Sequence, residues 1–272
     1  MSQTFADLGL SSELLESISE AGFLNPFPIQ EAVIPLALTG VDIIGQAKTG
    51  TGKTLGFGLP ILNNVDRGNG QPVALIVVPT RELGIQVADE LNKLSAKRNL
   101  RVVAIYGGRP MEPQIAELKK GVDIVVGTPG RLLDLQRQGA LNLREVKHLV
   151  LDEADEMLDL GFLPDVEKIF QLTSNRSQTM LFSATMPQEI ATLAATYMKT
   201  PLRIEVAPAG TSSSQVEHEV FIVSKDMSNL DNIRTYLYWN LVNDTRAEWK
   251  YMNITNIMDS NNSIQKLLIC GN

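Results

Sequence analysis

Seven short runs rich in valine and isoleucine recur along the chain, and they constrain its fold more than any other feature. Each run is too short for a typical helix, and its hydrophobicity is continuous rather than alternating. That pattern is typical of strands that are buried on both faces of a parallel sheet. The predicted strands cover residues 41–46, 73–79, 101–106, 122–127, 148–153, 178–184 and 202–206.

Helix-like stretches separate these runs almost throughout. The predicted helices cover residues 11–21, 30–39, 53–64, 82–96, 112–119, 156–170 and 187–198. Parallel neighbours need crossover connections, so this alternation predicts an α/β domain with a doubly wound parallel sheet. In such a domain ligands bind beyond the carboxyl ends of the strands. We therefore expect functional residues in the loops that follow the strands.

The sequence changes character after Pro208. Residues 209–215 are small and polar, as in a linker, and residues 216–223 are predicted to form one further strand. Both tryptophans and nine asparagines lie in 227–272, where apolar residues from Met227 to Leu241 keep helical spacing. We predict a first domain over 1–208. Residues 216–272 are predicted to be a stub of a second domain with a short, atypical carboxyl-terminal tail.

Composition and charge exclude several classes of protein. Apolar residues make up 44% of the chain, which indicates a folded protein rather than a disordered one. The net charge of −7 argues against a broadly basic surface, so any nucleic-acid contact should be local. Cys270 is the only cysteine, which excludes an internal disulfide and a cysteine zinc site. With neither a signal-like leader nor an apolar run of ~20 residues, we expect a cytoplasmic protein without a membrane segment.

The segment AKTGTGKT at 47–54 lies between a predicted strand and a predicted helix, which is the context of a phosphate-binding loop. Glycines let backbone N–H groups approach phosphate oxygens, and the helix start adds positive partial charge. Lys53 is expected to reach the β- and γ-phosphates of a nucleoside triphosphate, and Thr54 to help hold Mg²⁺. The first position is alanine where the motif has glycine, and a glycine- and threonine-rich surface turn is the alternative. The predicted nucleotide-binding residues of the loop are Ala47, Lys48, Thr49, Gly50, Thr51, Gly52, Lys53 and Thr54.

Two adjacent carboxylates end a predicted buried strand in the segment LVLDEAD at 149–155. One carboxylate can hold hydrated Mg²⁺ while its neighbour orients or deprotonates the attacking water. We assign Asp152 to the metal, partly through water, and Glu153 to the water. Together with Lys53 they are the predicted catalytic residues. An acidic pair in a solvated turn is the alternative, which the phosphate loop upstream disfavours.

With these motifs in order, the chain resembles the amino-terminal RecA-like domain of the DEAD-box RNA helicases. The matching segments are Phe5, GFLNPFPIQ at 22–30, AKTGTGKT, PTRELGIQ at 79–86, GG at 107–108, TPGR at 128–131, DEAD at 152–155 and SAT at 183–185. The likeness covers residues 3 to 223. It implies a RecA-like P-loop NTPase fold and an ATP-dependent RNA helicase that uses ATP and Mg²⁺.

The resemblance also implies an adenine-recognition motif over residues 3–31. Gln30 would hydrogen-bond the adenine edge, because an amide side chain donates and accepts at once. Phe5 and Phe23 would support the adenine pocket. Phe27 departs from the family pattern, which usually has Thr or Ser at that position. Considered without the family, Gln30 is a polar residue at a helix start.

Three further segments match the family's contacts to the RNA backbone. Their hydroxyls, loop N–H groups and two arginines can bind phosphates and 2′-hydroxyls without reading bases. The predicted RNA-binding residues are Pro79, Thr80, Arg81, Gly108, Thr128, Pro129, Gly130 and Arg131. A helix-capping threonine and a solvated arginine are the alternative interpretation. Ser183, Ala184 and Thr185 would couple hydrolysis to strand separation, through hydroxyl hydrogen bonds to the segment DEAD.

Members of the family also carry a second RecA-like domain, with arginines in a segment like HRIGRTGR, and the 272 residues contain no such segment. The resemblance therefore implies that these residues alone hydrolyse ATP slowly and unwind little. The alternative is a non-catalytic ATP- and RNA-binding module that acts through a partner chain, which would supply the arginines. Another P-loop ATPase, such as a DNA motor, is disfavoured by Gln30 and by the segments TPGR and DEAD.

Overall fold

The structure is a computed structural model that describes residues 3–68, 70–206, 219–223, 251–258 and 264–271. The chain divides into two compact units, Met1–Pro208 and Ala209–Asn272. All the segments predicted to contact nucleotide or RNA lie in the first unit.

A single parallel sheet of seven strands lies at the centre of the described part of the first unit. The strands are β1 (Ile43–Gln46), β2 (Ala74–Val77), β3 (Val102–Ile105), β4 (Ile124–Gly127), β5 (His148–Leu151), β6 (Gln178–Ser183) and β7 (Leu202–Glu205). Their order across the sheet is β3-β4-β2-β5-β6-β1-β7. Every predicted strand of this unit coincides with an observed one, which confirms the predicted parallel sheet.

Helices cover both faces of this sheet. In the described residues they are α1 (Ser12–Glu20), α2 (Pro28–Leu38), α3 (Lys53–Asn64), α4 (Arg81–Ser95), α5 (Met111–Lys119), α6 (Pro129–Arg137), α7 (Ala154–Asp159), α8 (Leu163–Leu172) and α9 (Gln188–Tyr197). Successive side chains of a strand point to opposite faces. Accordingly, Ile76 of β2 belongs to the apolar cluster that contains residues of α1 to α4, whereas Leu75 and Val77 belong to the cluster that contains residues of α6, α8 and α9. The doubly wound arrangement is therefore confirmed.

The helix predictions differ from the structure in two places. Residues 156–170, predicted as one helix, are divided between α7 and α8. Gly161 adopts a left-handed φ of 78° just after α7, and Pro164 lies in the first turn of α8, where its missing N–H costs nothing. Helix α6 was not predicted. Its start carries a usable signal, because Thr128 occupies the N-cap position and Pro129 the first helical position.

The described part of the second unit is a small antiparallel sheet. Its strands are β8 (Glu219–Val223), β9 (Tyr251–Met258) and β10 (Ile264–Gly271), in the order β8-β10-β9. The strand predicted over 216–223 is therefore found over part of that range, whereas β9 and β10 were not predicted. Polar residues interrupt any regular alternation in β9, which hid it from the pattern. The helical spacing from Met227 to Leu241 lies outside the described residues.

The strand order separates two groups of loops along one edge of the large sheet. Because all seven strands are parallel, their carboxyl ends meet at the same edge. The loops predicted to bind nucleotide or to couple its hydrolysis follow β5, β6 and β1, which are adjacent strands. The loops predicted to bind RNA follow β3, β4 and β2, which are also adjacent. The two groups meet where β2 pairs with β5.

Candidate functional site

The loop that joins β1 to α3 depends on glycine. Gly50 and Gly52 have φ values of 82° and 83°, a left-handed conformation that side chains other than glycine rarely adopt. A Cβ atom at Gly52 would clash with the side-chain amide of Gln30 and would lie 2.8 Å from Cδ2 of Phe27. Lys53 then begins α3, whose first N–H groups have no partners within the helix. The loop therefore combines a compact backbone with a helix start, which suits an anion.

Among the residues that the structure describes, Lys53 is the only cation that lines the cleft beside this loop. Its side chain is buried, with 6% of its surface exposed, and its Nζ has no hydrogen-bond partner in the described part of the chain. Oδ1 of Asp152 lies 4.0 Å from this Nζ. A buried ammonium group without hydrogen bonds is costly. The residues present therefore fit a phosphate group, which would supply the missing acceptors.

Asp152 carries the complementary feature, a carboxylate with too little positive charge around it. The pKa of Asp152 is raised to about 6, mainly by burial and also by the charge of Glu153, even though the nearby charge of Lys53 lowers it. A divalent cation would favour the ionised form. No cluster of three or more His, Cys, Asp or Glu side chains that could hold a metal occurs among the described residues. The Asp152 carboxylate beside the phosphate loop still fits Mg²⁺, because this ion binds through one or two carboxylates together with phosphate oxygens and waters.

Glu153 follows Asp152 with an unusual backbone conformation. Its φ of 55° and ψ of 52° are left-handed, which is uncommon for a residue other than glycine. Its backbone N–H donates to Oδ1 of Asp152 over 3.0 Å, and Thr49 of the phosphate loop donates its hydroxyl to Oε1 of Glu153 over 3.3 Å. The Glu153 carboxylate is therefore turned toward the phosphate loop, where an attacking water would have to be positioned.

A cleft of about 250 Å³ brings many of the predicted residues together. The predicted residues that line it are Phe23, Gln30, Thr49, Gly50, Gly52, Lys53, Thr54, Asp152 and Glu153. Gln30 is buried, accepts the N–H of Phe27 over 2.9 Å and donates to the carbonyl of Gly52 over 2.8 Å. Each amide atom retains capacity for one more hydrogen bond. The adenine role of Gln30 remains a prediction.

Four predicted nucleotide-binding residues do not line this cleft. Phe5 is buried in the apolar cluster that contains α1 to α4. Ala47 is buried and donates its N–H to the carbonyl of Ser183 over 3.1 Å. Lys48 is exposed, and its carbonyl accepts the hydroxyl of Thr51 over 2.7 Å. Ala47, Lys48 and Thr51 belong to the loop itself, and the contact of all four residues with nucleotide stays a prediction.

Sequence reasoning missed five residues that line the cleft: Phe27, Leu55, Leu83, Gln86 and Glu90. The last three lie on α4 and are separated by three and four positions, so they share one face of the helix. That spacing was available in the segment PTRELGIQ and the residues that follow it, but only the strand order shows that α4 faces the phosphate loop. Phe27 was noticed as a departure from the family and not as a site residue.

A second, larger cleft of about 710 Å³ lies between α1 and α4. It shares Phe23, Gln86 and Glu90 with the smaller cleft beside the phosphate loop. Its charged lining residues are three carboxylates, Glu20, Asp89 and Glu90, with a single lysine, Lys93. This balance would repel phosphate groups, so size does not make it the nucleotide site.

The segment SAT is bonded to the segment DEAD. Ser183 accepts the backbone N–H of Asp155 through its hydroxyl over 3.1 Å. Thr185 donates both its N–H and its hydroxyl to Oδ2 of Asp155, each over 2.8 Å. Burial raises the pKa of Asp155, but the hydrogen bonds from Thr185 and its neighbours lower it below the ordinary value. Ala184 offers its carbonyl to Gln46 at a marginal 3.5 Å. The expected hydroxyl contacts exist, and the coupling role stays a prediction.

The loops after β2, β3 and β4 bring their polar groups to one surface. Arg81 and Gly108 are neighbours, because a Cβ atom at Gly108 would lie 3.7 Å from Nη1 of Arg81. Arg131 donates to the carbonyl of Arg109 over 2.9 Å, which ties the loop after β4 to the loop after β3. Thr80 caps α4 by accepting the N–H of Leu83 over 3.3 Å.

The remaining predicted RNA-binding residues lie around these groups. Thr128 occupies the N-cap position of α6 and donates its N–H to the carbonyl of Ile105 over 3.0 Å. Gly130 has open space where a side chain would be. Pro79 and Pro129 are buried, so they shape their loops rather than offering a surface. The structure thus brings Gly108 and the first turns of α4 and α6, which carry Arg81 and Arg131, to one surface, while RNA contact itself stays a prediction.

Comparisons with known proteins agree with this geometry. The family model described as DEAD/DEAH box helicase matches residues 27–193. The chain belongs to this helicase family. The match spans the phosphate loop, the acidic pair and the three loops with the predicted RNA contacts, so the resemblance drawn from the sequence is confirmed. The family match lies entirely within the first unit.

Relatives of this DEAD-box chain include several bacterial helicases. It is 49% identical over 203 residues to the DEAD-box ATP-dependent RNA helicase CshA of Geobacillus kaustophilus, covering 75% of the chain and 44% of that protein. It is 43% identical over 222 residues to the DEAD-box ATP-dependent RNA helicase RhpA of Helicobacter pylori, covering 82% of the chain and 45% of that protein. The chain thus spans less than half the length of the curated relatives it matches.

Solved structures place the DEAD-box chain among RecA-like domains. The crystal structure of a DEAD box protein from Methanococcus jannaschii matches with a TM-score of 0.72 and 48% identity, over 75% of this chain and 56% of that one. A hypothetical ATP-dependent RNA helicase from Sulfolobus tokodaii matches with a TM-score of 0.68 and 39% identity, over 72% and 57%. The predicted RecA-like fold is confirmed. None of the helices in the described ranges is long and apolar enough to span a bilayer.

Proposed function

We propose that the chain binds ATP with Mg²⁺ in the cleft beside the phosphate loop. We also propose that it binds the sugar–phosphate backbone of RNA at the loops after β2, β3 and β4. The observation that carries the proposal is the buried Nζ of Lys53, which has no hydrogen-bond partner among the described residues and lies 4.0 Å from the buried carboxylate of Asp152. A triphosphate satisfies the ammonium group, and a divalent cation satisfies the carboxylate. The activity is that of an RNA-dependent ATPase of the DEAD-box type.

Thr54 and Asp152 are the residues that would hold Mg²⁺, partly through water. When bound, the ion would neutralise charge on the phosphate oxygens. Gln30 would select adenine with the hydrogen-bonding capacity that its amide retains after its bonds to Phe27 and Gly52. Glu153 would accept a proton from the attacking water or orient it, as its approach to Thr49 supports.

The RNA surface suits backbone recognition. Arg81 is more than half exposed, and its one ion pair, with the exposed Glu82, is too weak and too solvent-screened to compete strongly with a phosphate. Arg131 and the open backbone at Gly130 lie on the adjoining loop. These groups bind phosphates and 2′-hydroxyls rather than base edges, so binding should be insensitive to RNA sequence. A local surface of this kind is compatible with the net charge of −7.

Turnover by these 272 residues alone should be slow. An arginine that stabilises the transferred phosphoryl group is worth about 10³–10⁵ in turnover, and no segment like HRIGRTGR is present. A partner that supplies such arginines, on the same or another polypeptide, would restore the rate. Strand separation should be weak for the same reason, because half of the expected RNA contacts would come from that partner.

The test is a pair of measurements on the 272-residue chain. Isothermal titration should detect ATP binding that is strong with Mg²⁺ and much weaker with excess EDTA. ATP turnover, followed with and without single-stranded RNA, should stay about 10³-fold or more below that of a two-domain DEAD-box helicase. Absence of magnesium-dependent ATP binding would refute the proposal. Turnover equal to that of the two-domain enzyme would refute only its statement about rate.

Replacement of Arg81 or Arg131 by alanine should weaken binding of single-stranded RNA of any sequence. Each lost phosphate contact should also reduce the slope of log K against log salt by about 0.7. Fluorescence anisotropy with two labelled RNAs of unrelated sequence, each at several salt concentrations, measures both quantities. Arg137→Ala is the matched control, because Arg137 is an exposed arginine on the same helix as Arg131 and pairs with Asp134. A loss of affinity for only one RNA sequence would contradict backbone recognition.

A further inference from the structure

Phe27 is a large apolar side chain that the fold leaves in solvent. Its exposed fraction is 53%, although it is one of the residues that line the nucleotide cleft. An exposed aromatic ring in a cleft has apolar area that a ligand can cover, and base–aromatic stacking uses such area. Phe23 lines the same cleft, so two aromatic side chains are available there.

The position of the Phe27 ring is set by the residues around it. Its backbone N–H donates to Oε1 of Gln30 over 2.9 Å, and Nε2 of Gln30 donates to the carbonyl of Gly52 over 2.8 Å. The ring lies against the phosphate loop, because Cδ2 of Phe27 would be only 2.8 Å from a Cβ atom at Gly52. The ring is therefore held between the residue expected to read the base and the loop expected to hold the phosphates. A nucleotide that spans these two places has its nucleoside within reach of the ring.

We infer that Phe27 contacts the face of the nucleotide base and stabilises bound purine nucleotides whatever their hydrogen-bonding edge. This inference rests on the proposed ATP site and adds a second contribution to it. Gln30 acts on the edge of the base and discriminates adenine from guanine, whereas a stacking ring gains from any purine. A residue with a short polar side chain at this position would lack that contact. The chain should therefore bind GTP better than a variant without the ring does.

Binding measurements on four forms of the chain test this inference. The forms are the unmodified chain, Phe27→Ala, Phe27→Trp and the control Leu24→Ala. Leu24 is a suitable control because it lies in the same segment, is 83% exposed and does not line the cleft. The ligands are ATP, GTP and inorganic tripolyphosphate, each with Mg²⁺, and thermal unfolding verifies that each variant is folded.

Phe27→Ala should raise the Kd for both ATP and GTP by about tenfold or more and leave the Kd for tripolyphosphate unchanged. Phe27→Trp should retain nucleotide affinity, and Leu24→Ala should alter none of the values. Unchanged ATP affinity in Phe27→Ala would overturn the inference while the proposed function stands. Equal weakening of tripolyphosphate would also overturn it, because the ring would then act on the phosphate loop. If the unmodified chain binds no tripolyphosphate and no ATP, the proposed function fails and the inference fails with it.

Discussion

Lys53→Ala is expected to weaken binding of ATP with Mg²⁺ by about 100-fold or more, because hydrogen bonds to charged groups are worth ~1.5–3 kcal/mol each and the ammonium group can supply more than one. Within the described ranges, the buried Nζ has no hydrogen-bond partner and is the only cation in the cleft lining. Nothing else in that lining can replace its charge at the phosphates. Tripolyphosphate should lose affinity by a similar factor, since the lysine contacts phosphate and not the base.

Isothermal titration of the variant with ATP and with tripolyphosphate gives both values. Lys168→Ala is the matched control, because Lys168 is an exposed lysine on α8 that pairs with Asp165 and does not line the cleft. Thermal unfolding should accompany the titration, since the substitution leaves the buried Asp152 without its nearest cation. A folded Lys53→Ala chain that keeps full affinity would remove the physical basis of the proposed nucleotide site.

Glu153→Gln should lower ATP turnover by about 10²–10⁴-fold, the contribution typical of general acid–base catalysis. Affinity for ATP with Mg²⁺ should be unchanged, because the amide is nearly the same size and Asp152 and Lys53 remain in place. The side chain can no longer accept a proton from the attacking water. Turnover is measured by release of phosphate in the presence of single-stranded RNA, and affinity by titration.

The matched control is Glu156→Gln, which changes an exposed carboxylate on α7 three residues further along the chain. Its turnover should equal that of the unmodified chain. The pair of variants also separates an enzyme from a non-catalytic binding module. If the unmodified chain shows turnover that Glu153→Gln does not reduce, Glu153 is not the residue that acts on water, and the measured activity belongs to another group or to a contaminant.

Much of the first unit could be predicted because its central strands β4, β2, β5 and β6 are almost entirely buried. Continuous runs of Val, Ile and Leu such as residues 73–79 leave little choice other than a parallel strand, and each observed strand lies within a predicted run. Helix ends were less predictable, because local signals compete. The turn at Gly161 divided a stretch whose apolar spacing favours one helix, and the short α6 was hidden between two apolar runs.

The candidate site was predictable where one short segment carries the chemistry. In AKTGTGKT and in DEAD, residue types at fixed spacing indicate the predicted role. The structure brings Lys53 and Asp152 together as expected. Contacts between distant segments were not predictable. The bond from Gln30 to the Gly52 carbonyl and the approach of α4 to the cleft depend on tertiary packing, which leaves no local signal. Phe27 departs from the family pattern, and its proposed contact with the base could be inferred only from the residues that surround its ring in the structure.

The pairing of β2 with β5 has a mechanical consequence. Val77 and Leu151 stand opposite each other, and the N–H of Asp152 donates to the carbonyl of Val77 over 3.0 Å. Arg81, at the start of α4 after β2, and the acidic pair after β5 are therefore linked by the hydrogen-bonded pairing of these two strands. Substitutions that weaken the pairing of β2 with β5 are therefore expected to displace both Arg81 and Asp152.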